Sequence, residues 1–332
     1  MVYFKIEFGL GKCPSGIGKV ATKGKNETDG WAEVFSEVER MKAEGRFKTA
    51  TNYLTALRSW SRYRGNDAWR FTDMTADEMG RYQQWLRDGG VCNNTASAYM
   101  RCLRALYNRA TGRREPDPFA KVFTGNDRTA KRSVTAEVMA RLHGLALPDG
   151  SPLRLARDLF IFGFQAMGMP FVDMAYLRKS QVKDNIISYA RRKTGQQILV
   201  PVTLEMARLM RRHEVATTDF VFPILSRQTP EDLHHQYRHA LRRYNYLLRR
   251  LSVMVGAEGH LSSYVARHSW ASIAYQHHID IGLIGKALGH TKSTTTMIYI
   301  KSLFDQDLAL ANEALMRKIG IHADDETTEP SR

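Results

Sequence analysis

The chain has 332 residues, and its 49 lysine and arginine residues outnumber 34 aspartate and glutamate residues to give a formal net charge of +15. A hydrophobic content of 43% with 25% charged residues is typical of globular proteins and excludes a disordered chain. The length suits two domains rather than one, and no apolar run is long enough for a membrane-spanning helix. The positive charge favours a polyanionic partner, and nucleic acid is the first candidate.

Residues 1–30 are rich in glycine, lysine, serine and threonine without periodicity, and we expect an irregular leader. Charged residues interrupt the apolar ones at the N-terminus, so a secretory signal is not expected. The three cysteines are not spaced as metal ligands, which favours a reducing compartment. These features predict a cytoplasmic protein.

Residues 31–112 form the first predicted domain. Their apolar residues recur three and four positions apart, a pattern that predicts a small all-helical domain. One predicted helix covers residues 76–87, and another covers 94–109 with Asn93 or Asn94 as its N-cap.

Two helices of this domain carry cations beside aromatic residues. Such arginines can contact phosphates while neighbouring side chains reach base edges in a groove. Alternatively, the aromatic rings form the core and the arginines are a solvated face. The predicted DNA-binding residues here are Arg58, Arg62, Arg64, Arg101 and Arg104.

Residues 113–132 contain glycine, proline and a basic cluster that ends in Lys131 and Arg132, so we predict a linker that contacts the DNA backbone. A second domain is predicted at 133–320 and begins with a helix capped by Thr135.

Within the second domain the apolar period changes from helical to alternating around residues 186–200. This change predicts a β-hairpin, with Lys193 at its turn beside Gly195. The acidic residues 321–332 are predicted to be disordered. The fold class is therefore mainly α with a small β-sheet, arranged as two domains.

The C-terminal part of the second domain contains an arginine, a histidine and a tyrosine in one block. Arg267 precedes His290 by 23 residues, and Tyr299 follows His290 by nine. A guanidinium binds a phosphate oxygen through its planar fork, an imidazole adds a hydrogen bond, and a phenol can serve as nucleophile. These residue types predict cleavage of a phosphodiester without a metal.

This block resembles the signature of the tyrosine recombinases, the phage integrase family, in which His-x-x-Arg is followed by Gly-His and then by the nucleophilic tyrosine. The resemblance implies that Tyr299 forms a 3′-phosphotyrosyl bond and that Arg267 and His290 hold the scissile phosphate. It further implies that Lys193 protonates the departing 5′ oxygen. Arg191 and Arg192, beside this lysine, are predicted phosphate contacts.

Two positions depart from the family pattern. Tyr264 stands where the first histidine is usual, and a phenol is a poorer proton acceptor than an imidazole at neutral pH. Pro170 stands where the first catalytic arginine is usual, whereas Asp173 keeps the acidic position that orients the cations. Similar sequences in a Bacteroidetes-type branch also lack this arginine. Arg154, Arg157 and Arg178 flank the gap, and the sequence does not choose a substitute among them.

The resemblance implies a site-specific recombinase that acts on double-stranded DNA with inverted-repeat core sites, by inversion, integration or resolution. It implies a homotetramer on paired DNA, a nucleoid location, and no metal or nucleotide cofactor. Residues 302–319 form a predicted helix that docks on a neighbouring subunit or packs on its own domain. The alternatives are a type IB topoisomerase-like enzyme and, because of Pro170 and Tyr264, a catalytically silent DNA-binding protein.

Overall fold

The computed structural model describes residues 30–65, 69–112, 115–127, 133–226, 229–290 and 295–297. The chain divides into two compact units, Met1–Arg128 and Thr129–Arg332, which are described separately. The described residues are mostly helical and include one three-stranded antiparallel sheet, which confirms the predicted fold class. No helix in this part of the chain is long and apolar enough to cross a membrane. The predicted disordered tail and the predicted helix at 302–319 lie outside the described residues.

The first unit is built from four long helices in the described residues. They are α1 Gly30–Ala43, α2 Phe47–Arg64, α3 Ala76–Asp88 and α4 Asn93–Thr111. Thr75 caps α3, because its hydroxyl accepts a hydrogen bond from the Glu78 amide at 3.3 Å. The helices bury one apolar face each, and the shared core includes Leu57, Trp60, Met79, Tyr82, Met100 and Leu103.

The start of α4 differs from the sequence prediction. Cys92 is its N-cap residue, and no side chain caps the helix there. The Asn93 side chain instead donates to Asp127 Oδ2 at 2.8 Å. Asn94 donates to the Asp127 carbonyl at 3.1 Å and accepts from the Asp127 amide at 2.7 Å. The predicted capping role is therefore wrong, because both asparagines bind a distant segment.

That segment, residues 115–127, belongs to the predicted linker but packs on the helices of the first unit. Phe119 and Val122 are buried in its core. The Gln83 amide bonds the Phe123 backbone twice, donating at 3.2 Å and accepting at 3.1 Å. Residues 115–127 therefore pack as part of the first unit and do not form a free linker. Lys131 and Arg132, which were predicted to contact DNA, lie outside the described residues.

The second unit surrounds a larger core. Its helices in the described residues are α5 Ala136–Gly144, α6 Pro152–Gln165, α7 Phe171–Ala175, α8 Leu204–Arg212, α9 Pro230–Met254, α10 Val265–Gln276 and α11 Ile281–Leu288. Thr135 caps α5 as predicted, since its hydroxyl accepts from the Val138 amide at 3.5 Å. Phe160 and Phe162 of α6 are fully buried, so α6 is a central core helix.

The sheet consists of β1 Val182–Lys183, β2 Ile186–Ala190 and β3 Gln197–Pro201, in the order β1-β2-β3. Ile187 pairs with Val200, and Tyr189 pairs with Ile198, so that one face of the hairpin packs on the core. Gly195 has φ of +70°, a value that favours glycine, in the turn between β2 and β3. The predicted hairpin is confirmed, and its turn carries Lys193.

Candidate active site

Arg267 lies in the first turn of α10 and is only 2% exposed. Its Nη1 donates to the Gly168 carbonyl at 3.0 Å, and its Nη2 donates to the Leu288 carbonyl. Gly168 has φ of +72°, and a Cβ there would lie 3.1 Å from the Arg267 Cα. The backbone at Gly168 therefore approaches α10 closely enough to hold the guanidinium from one side, and the end of α11 holds it from the other.

His290 follows the residue that ends α11. Gly289 adopts the left-handed conformation with φ of +64°, as expected for a glycine after a helix. The imidazole Nε2 lies 3.2 Å from Arg267 Nη2, and Nδ1 lies 2.9 Å from the Thr296 hydroxyl. Burial and the positive charges of Arg267, Arg191 and Lys193 lower the pKa of His290 to about 4. This imidazole is therefore neutral at pH 7 in the DNA-free protein.

Arg191, at the end of β2, is buried beside the same helix end. Its Nη1 donates to the Leu288 carbonyl at 2.9 Å and to the Gly289 carbonyl at 3.1 Å. Its Nε lies 3.6 Å from Asp173 Oδ2. A Cβ at residue 289 would be 2.5 Å from the Arg191 Cδ, so glycine is required for this approach. Arg191 was predicted to contact phosphate because it lies close to Lys193 in the sequence. Its position beside Arg267 was not predicted.

Asp173 connects α7 to the hairpin turn. Its side chain is 1% exposed, and its Oδ1 accepts a hydrogen bond from the Arg192 amide at 2.9 Å. Burial raises the pKa of Asp173, opposed by the Arg192 amide and by the charge of Arg191. Pro170 is the N-cap residue of α7, and its carbonyl accepts from the Asp173 amide at 2.9 Å. Pro170 thus starts the short helix that presents Asp173, but its side chain supplies no cation.

Lys193 is exposed in the hairpin turn, close enough to His290 for its charge to lower the histidine pKa. The neighbouring Arg192 places its guanidinium 3.8 Å from the centre of the Tyr176 ring. This cation–π contact orients Arg192 across the surface of the second unit while leaving it exposed.

Tyr264 is the N-cap residue of α10 and is 43% exposed. Its ring centre is 5.3 Å from that of His268. Tyr299, the predicted nucleophile, lies outside the described residues, whereas Thr296, three positions earlier, is described and fully buried.

The three arginines that flank the Pro170 gap in sequence are held away from Arg267. Arg154 donates to the Leu147 carbonyl at 3.1 Å. Arg157 donates to the His143 carbonyl at 2.7 Å, and Arg178 lies 3.4 Å from Asp219. Their sequence proximity to the gap therefore does not bring them to the site, and Arg191 occupies the place beside Arg267 instead.

The predicted DNA-binding arginines of the first unit fall into two groups. Arg58, Arg62 and Arg101 are exposed, and Arg104 is half-buried. Arg64 is half-buried and lies 3.1 Å from Glu78 within the unit, and its DNA-binding role stays a prediction. The sequence analysis also missed exposed cations on α9, which recur at helical spacing: Arg242, Arg243, Arg249 and Arg250.

The site is a cluster of cations around one helix end. Across the described part of the chain, no group of three or more histidine, cysteine, aspartate or glutamate residues is placed to hold a metal ion. Two guanidiniums, a neutral imidazole and an ammonium can together bind a phosphodiester and stabilise charge that develops on its oxygens. The arrangement is therefore suited to binding a phosphate group during phosphoryl transfer.

Comparison with known proteins identifies the family. Residues 134–306 match the model described as the phage integrase family, and residues 33–119 match that of the phage integrase SAM-like domain. The chain belongs to the phage integrase family, so the family prediction is confirmed. It is 26% identical over 288 residues to the tyrosine recombinase XerD of Rhizobium meliloti, covering 81% of this chain and 89% of XerD. It is 24% identical over 293 residues to XerD of Vibrio cholerae, covering 83% and 91%.

Solved structures support the same fold. A lambda integrase dimer bound to a COC′ core site aligns with a TM-score of 0.55 at 16% identity, covering 91% of this chain and 98% of that chain. The Tn1549 transposon integrase in complex with transposon right end DNA aligns with a TM-score of 0.53 at 11% identity, covering 88% and 100%. Both units of the chain thus have the architecture of this family.

Proposed function

We propose that this protein is a site-specific DNA recombinase that cleaves and rejoins duplex DNA through a 3′-phosphotyrosyl intermediate on Tyr299. One observation carries the proposal. Arg267, Arg191 and His290 meet at the C-terminal end of α11, and the charge of Lys193 acts on the same histidine. Those are the groups that a phosphodiester requires for cleavage without a metal.

In this mechanism the two arginines bind the non-bridging oxygens of the scissile phosphate. Hydrogen bonds to the carbonyls of Gly168, Leu288 and Gly289 hold both guanidinium groups in place, so little reorganisation is needed when the phosphate arrives. His290 adds a hydrogen bond to the same phosphate. Asp173 has a positioning role, because it holds Arg191 and the backbone of the hairpin turn.

The covalent step exchanges one phosphoester for another. The Tyr299 hydroxyl loses its proton to solvent as its oxygen attacks phosphorus, the bond to the 5′ oxygen breaks, and Lys193 gives that oxygen a proton. Attack by a 5′ hydroxyl on the phosphotyrosine reverses the step and rejoins a strand. The energy of the linkage is kept in the phosphotyrosine, so no nucleotide cofactor is required.

Arg191 supplies the phosphate-binding cation that the Pro170 side chain cannot supply. A charge-assisted hydrogen bond contributes on the order of 1.5–3 kcal/mol, so a missing arginine would lower the cleavage rate about ten- to hundredfold without a substitute. Arg191 directly follows β2 and does not lie in the segment before α7, but its guanidinium donates to the same carbonyl as Arg267. This substitution favours an active enzyme over a silent DNA-binding protein. It fits the predicted Bacteroidetes-type branch, which stays a prediction.

We further propose that the substrate is double-stranded DNA with inverted-repeat core sites, in the cytoplasm and at the nucleoid. A lambda integrase dimer binds a core site, and a lambda integrase tetramer binds a Holliday junction. By analogy, this chain assembles as a homotetramer on paired sites. The cations proposed to contact the DNA backbone are Arg58, Arg62, Arg101, Arg104, Lys131, Arg132 and Arg192.

The test is covalent trapping on a nicked suicide substrate that carries the inverted repeats flanking the gene. Wild-type protein should give a protein–DNA band on a denaturing gel, and Tyr299→Phe should give none. DNA binding without a band in the wild type would favour the silent DNA-binding protein. Relaxation of supercoiled plasmids that lack a recombination site would favour the topoisomerase-like alternative.

A further inference from the structure

Thr296 is a fully buried polar residue in direct contact with His290. Its hydroxyl lies 2.9 Å from His290 Nδ1. It also rests against α11, because a Cβ at Gly285 would lie only 2.9 Å from the same hydroxyl oxygen. Thr296 therefore sits between the histidine and the helix that ends beside both arginines.

The contacts of the imidazole assign its tautomer. Arg267 Nη2, which lies 3.2 Å from His290 Nε2, is a donor only. The neutral ring must therefore present a lone pair at Nε2 and carry its proton at Nδ1. Nδ1–H then donates to the Thr296 hydroxyl, so the threonine and Arg267 fix opposite edges of the same ring.

We propose that Thr296 is a positioning residue of the recombinase, whose hydroxyl orients His290 for the scissile phosphate and docks the chain that leads to Tyr299. The inference rests on the proposed function of the site. The hydroxyl acts through His290 and through the backbone, and it does not touch the reacting atoms.

A hydroxyl suits this position because it both donates and accepts. A phosphate oxygen is an acceptor, so His290 must carry a proton at Nε2 when DNA is bound. If the ring gains a second proton, Nδ1–H still donates to Thr296. If the ring changes tautomer, the hydroxyl rotates and donates to Nδ1. Both changes keep the hydrogen bond to Thr296, so the ring stays oriented throughout.

The same contact limits the reach of the nucleophile. Tyr299 is three residues after Thr296. Three residues of fully extended chain span at most about 11 Å. The chain therefore allows Tyr299 to lie no farther than about 11 Å from a residue that contacts His290.

The test compares Thr296→Val with Thr296→Ser in full-length protein. Valine keeps the shape of threonine without the hydroxyl, whereas serine keeps the hydroxyl. We expect Thr296→Val to lower the rate of covalent adduct formation from preformed protein–DNA complexes about ten- to hundredfold, with an unchanged Kd for DNA. Thr296→Ser should recover most of the rate. Thr295→Val, one residue away and half-buried, is the matched control and should cleave as the wild type does.

A second readout does not depend on cleavage. Nitrogen-15 NMR of the DNA-free wild type should show His290 as the neutral tautomer with its proton on Nδ1. Wild-type cleavage together with an equally fast Thr296→Val variant, or a proton on Nε2 in the free protein, would overturn the inference. Absence of a covalent adduct with wild-type protein would instead reject the proposed function, whatever the tautomer.

Discussion

Arg191 and Arg267 donate to the same acceptor, the carbonyl oxygen of Leu288. Both side chains are buried, one at the end of β2 and the other in the first turn of α10. Two buried guanidiniums in one place repel each other unless negative charge lies nearby. Asp173 supplies one carboxylate that acts on both arginines. The C-terminal end of α11 adds the partial negative charge of its carbonyls. In the proposed mechanism the bound phosphodiester adds further negative charge beside the two arginines.

Arg191→Lys tests this pairing. Lysine keeps the positive charge beside Asp173 but lacks the planar fork that bonds two acceptors at once. We expect the rate of covalent adduct formation on a nicked substrate to fall about ten- to hundredfold. Affinity for DNA, measured by fluorescence anisotropy, should change little because the exposed cations are retained.

Arg208→Lys is the matched control for that change. Arg208 lies on α8, is exposed, and pairs with Glu205 at 3.5 Å. It should cleave at the wild-type rate. If Arg191→Lys and wild type form the covalent adduct at equal rates, a group other than Arg191 replaces the missing first arginine.

Gly285→Ala tests whether the position of Thr296 affects cleavage independently of the stability of α11. Alanine in the interior of a helix is favoured over glycine by about 0.5–1 kcal/mol. The new methyl group would lie 2.9 Å from the Thr296 hydroxyl, however, so Thr296 must move. Overpacking of this kind costs about 1–3 kcal/mol and cancels the propensity gain, so we expect an unchanged or lowered Tm together with about tenfold slower cleavage.

Gly80→Ala provides the comparison for the glycine change. Gly80 lies in α3, and a Cβ there would meet nothing within 4 Å. Its substitution should leave cleavage unchanged. If Gly285→Ala cleaved as fast as Gly80→Ala, close packing of Thr296 on α11 would not matter for the reaction.

Local signals in the sequence found part of the site, and tertiary contacts determined the rest. The change of apolar period around Lys193 is a local feature, and the hairpin formed where it was expected. Arg191 could not be placed in this way, because its partner Leu288 is 97 residues away. The link between Asn94 and Asp127 was missed for the same reason. Side chains that can cap a helix can also bind elsewhere, and only the folded chain decides between the two.

Lys193→Ala tests the proposed proton donor. An alkoxide is a poor leaving group without a proton, whereas a thiolate leaves readily because a thiol has a pKa near 8.5. We expect Lys193→Ala to be strongly impaired on ordinary DNA and to recover on DNA with a 5′-bridging sulfur at the scissile linkage. Adduct yields on the two substrates provide the measurement. Equal impairment on both substrates would assign Lys193 to phosphate binding instead.

Asp158→Asn tests a buried ionic cluster that stabilises the second unit. The Asp158 carboxylate accepts from Arg157 Nε at 2.5 Å, from His213 Nε2 at 2.7 Å and from Arg212 Nη1 at 3.1 Å. Burial alone would raise the pKa of Asp158, but the hydrogen bond with His213 and the charge of Arg157 outweigh it and lower the pKa. Removing one partner of a buried pair costs about 3–5 kcal/mol, so we expect the free energy of unfolding at pH 7 to fall by about 3 kcal/mol.

The sign of the pH dependence follows from that lowered pKa. An aspartate with a depressed pKa in the folded state stabilises the protein fully above its unfolded pKa, near 3.9, and loses this contribution as the pH falls through the folded value. The free energies of unfolding of wild type and Asp158→Asn, measured in urea, should therefore differ most at pH 5–7 and converge below about pH 4. The control is Asp184→Asn, at an exposed turn position with φ of +50° that asparagine adopts equally well. If the difference in the free energy of unfolding between wild type and Asp158→Asn stays constant down to pH 3, packing rather than the carboxylate charge explains the loss of stability.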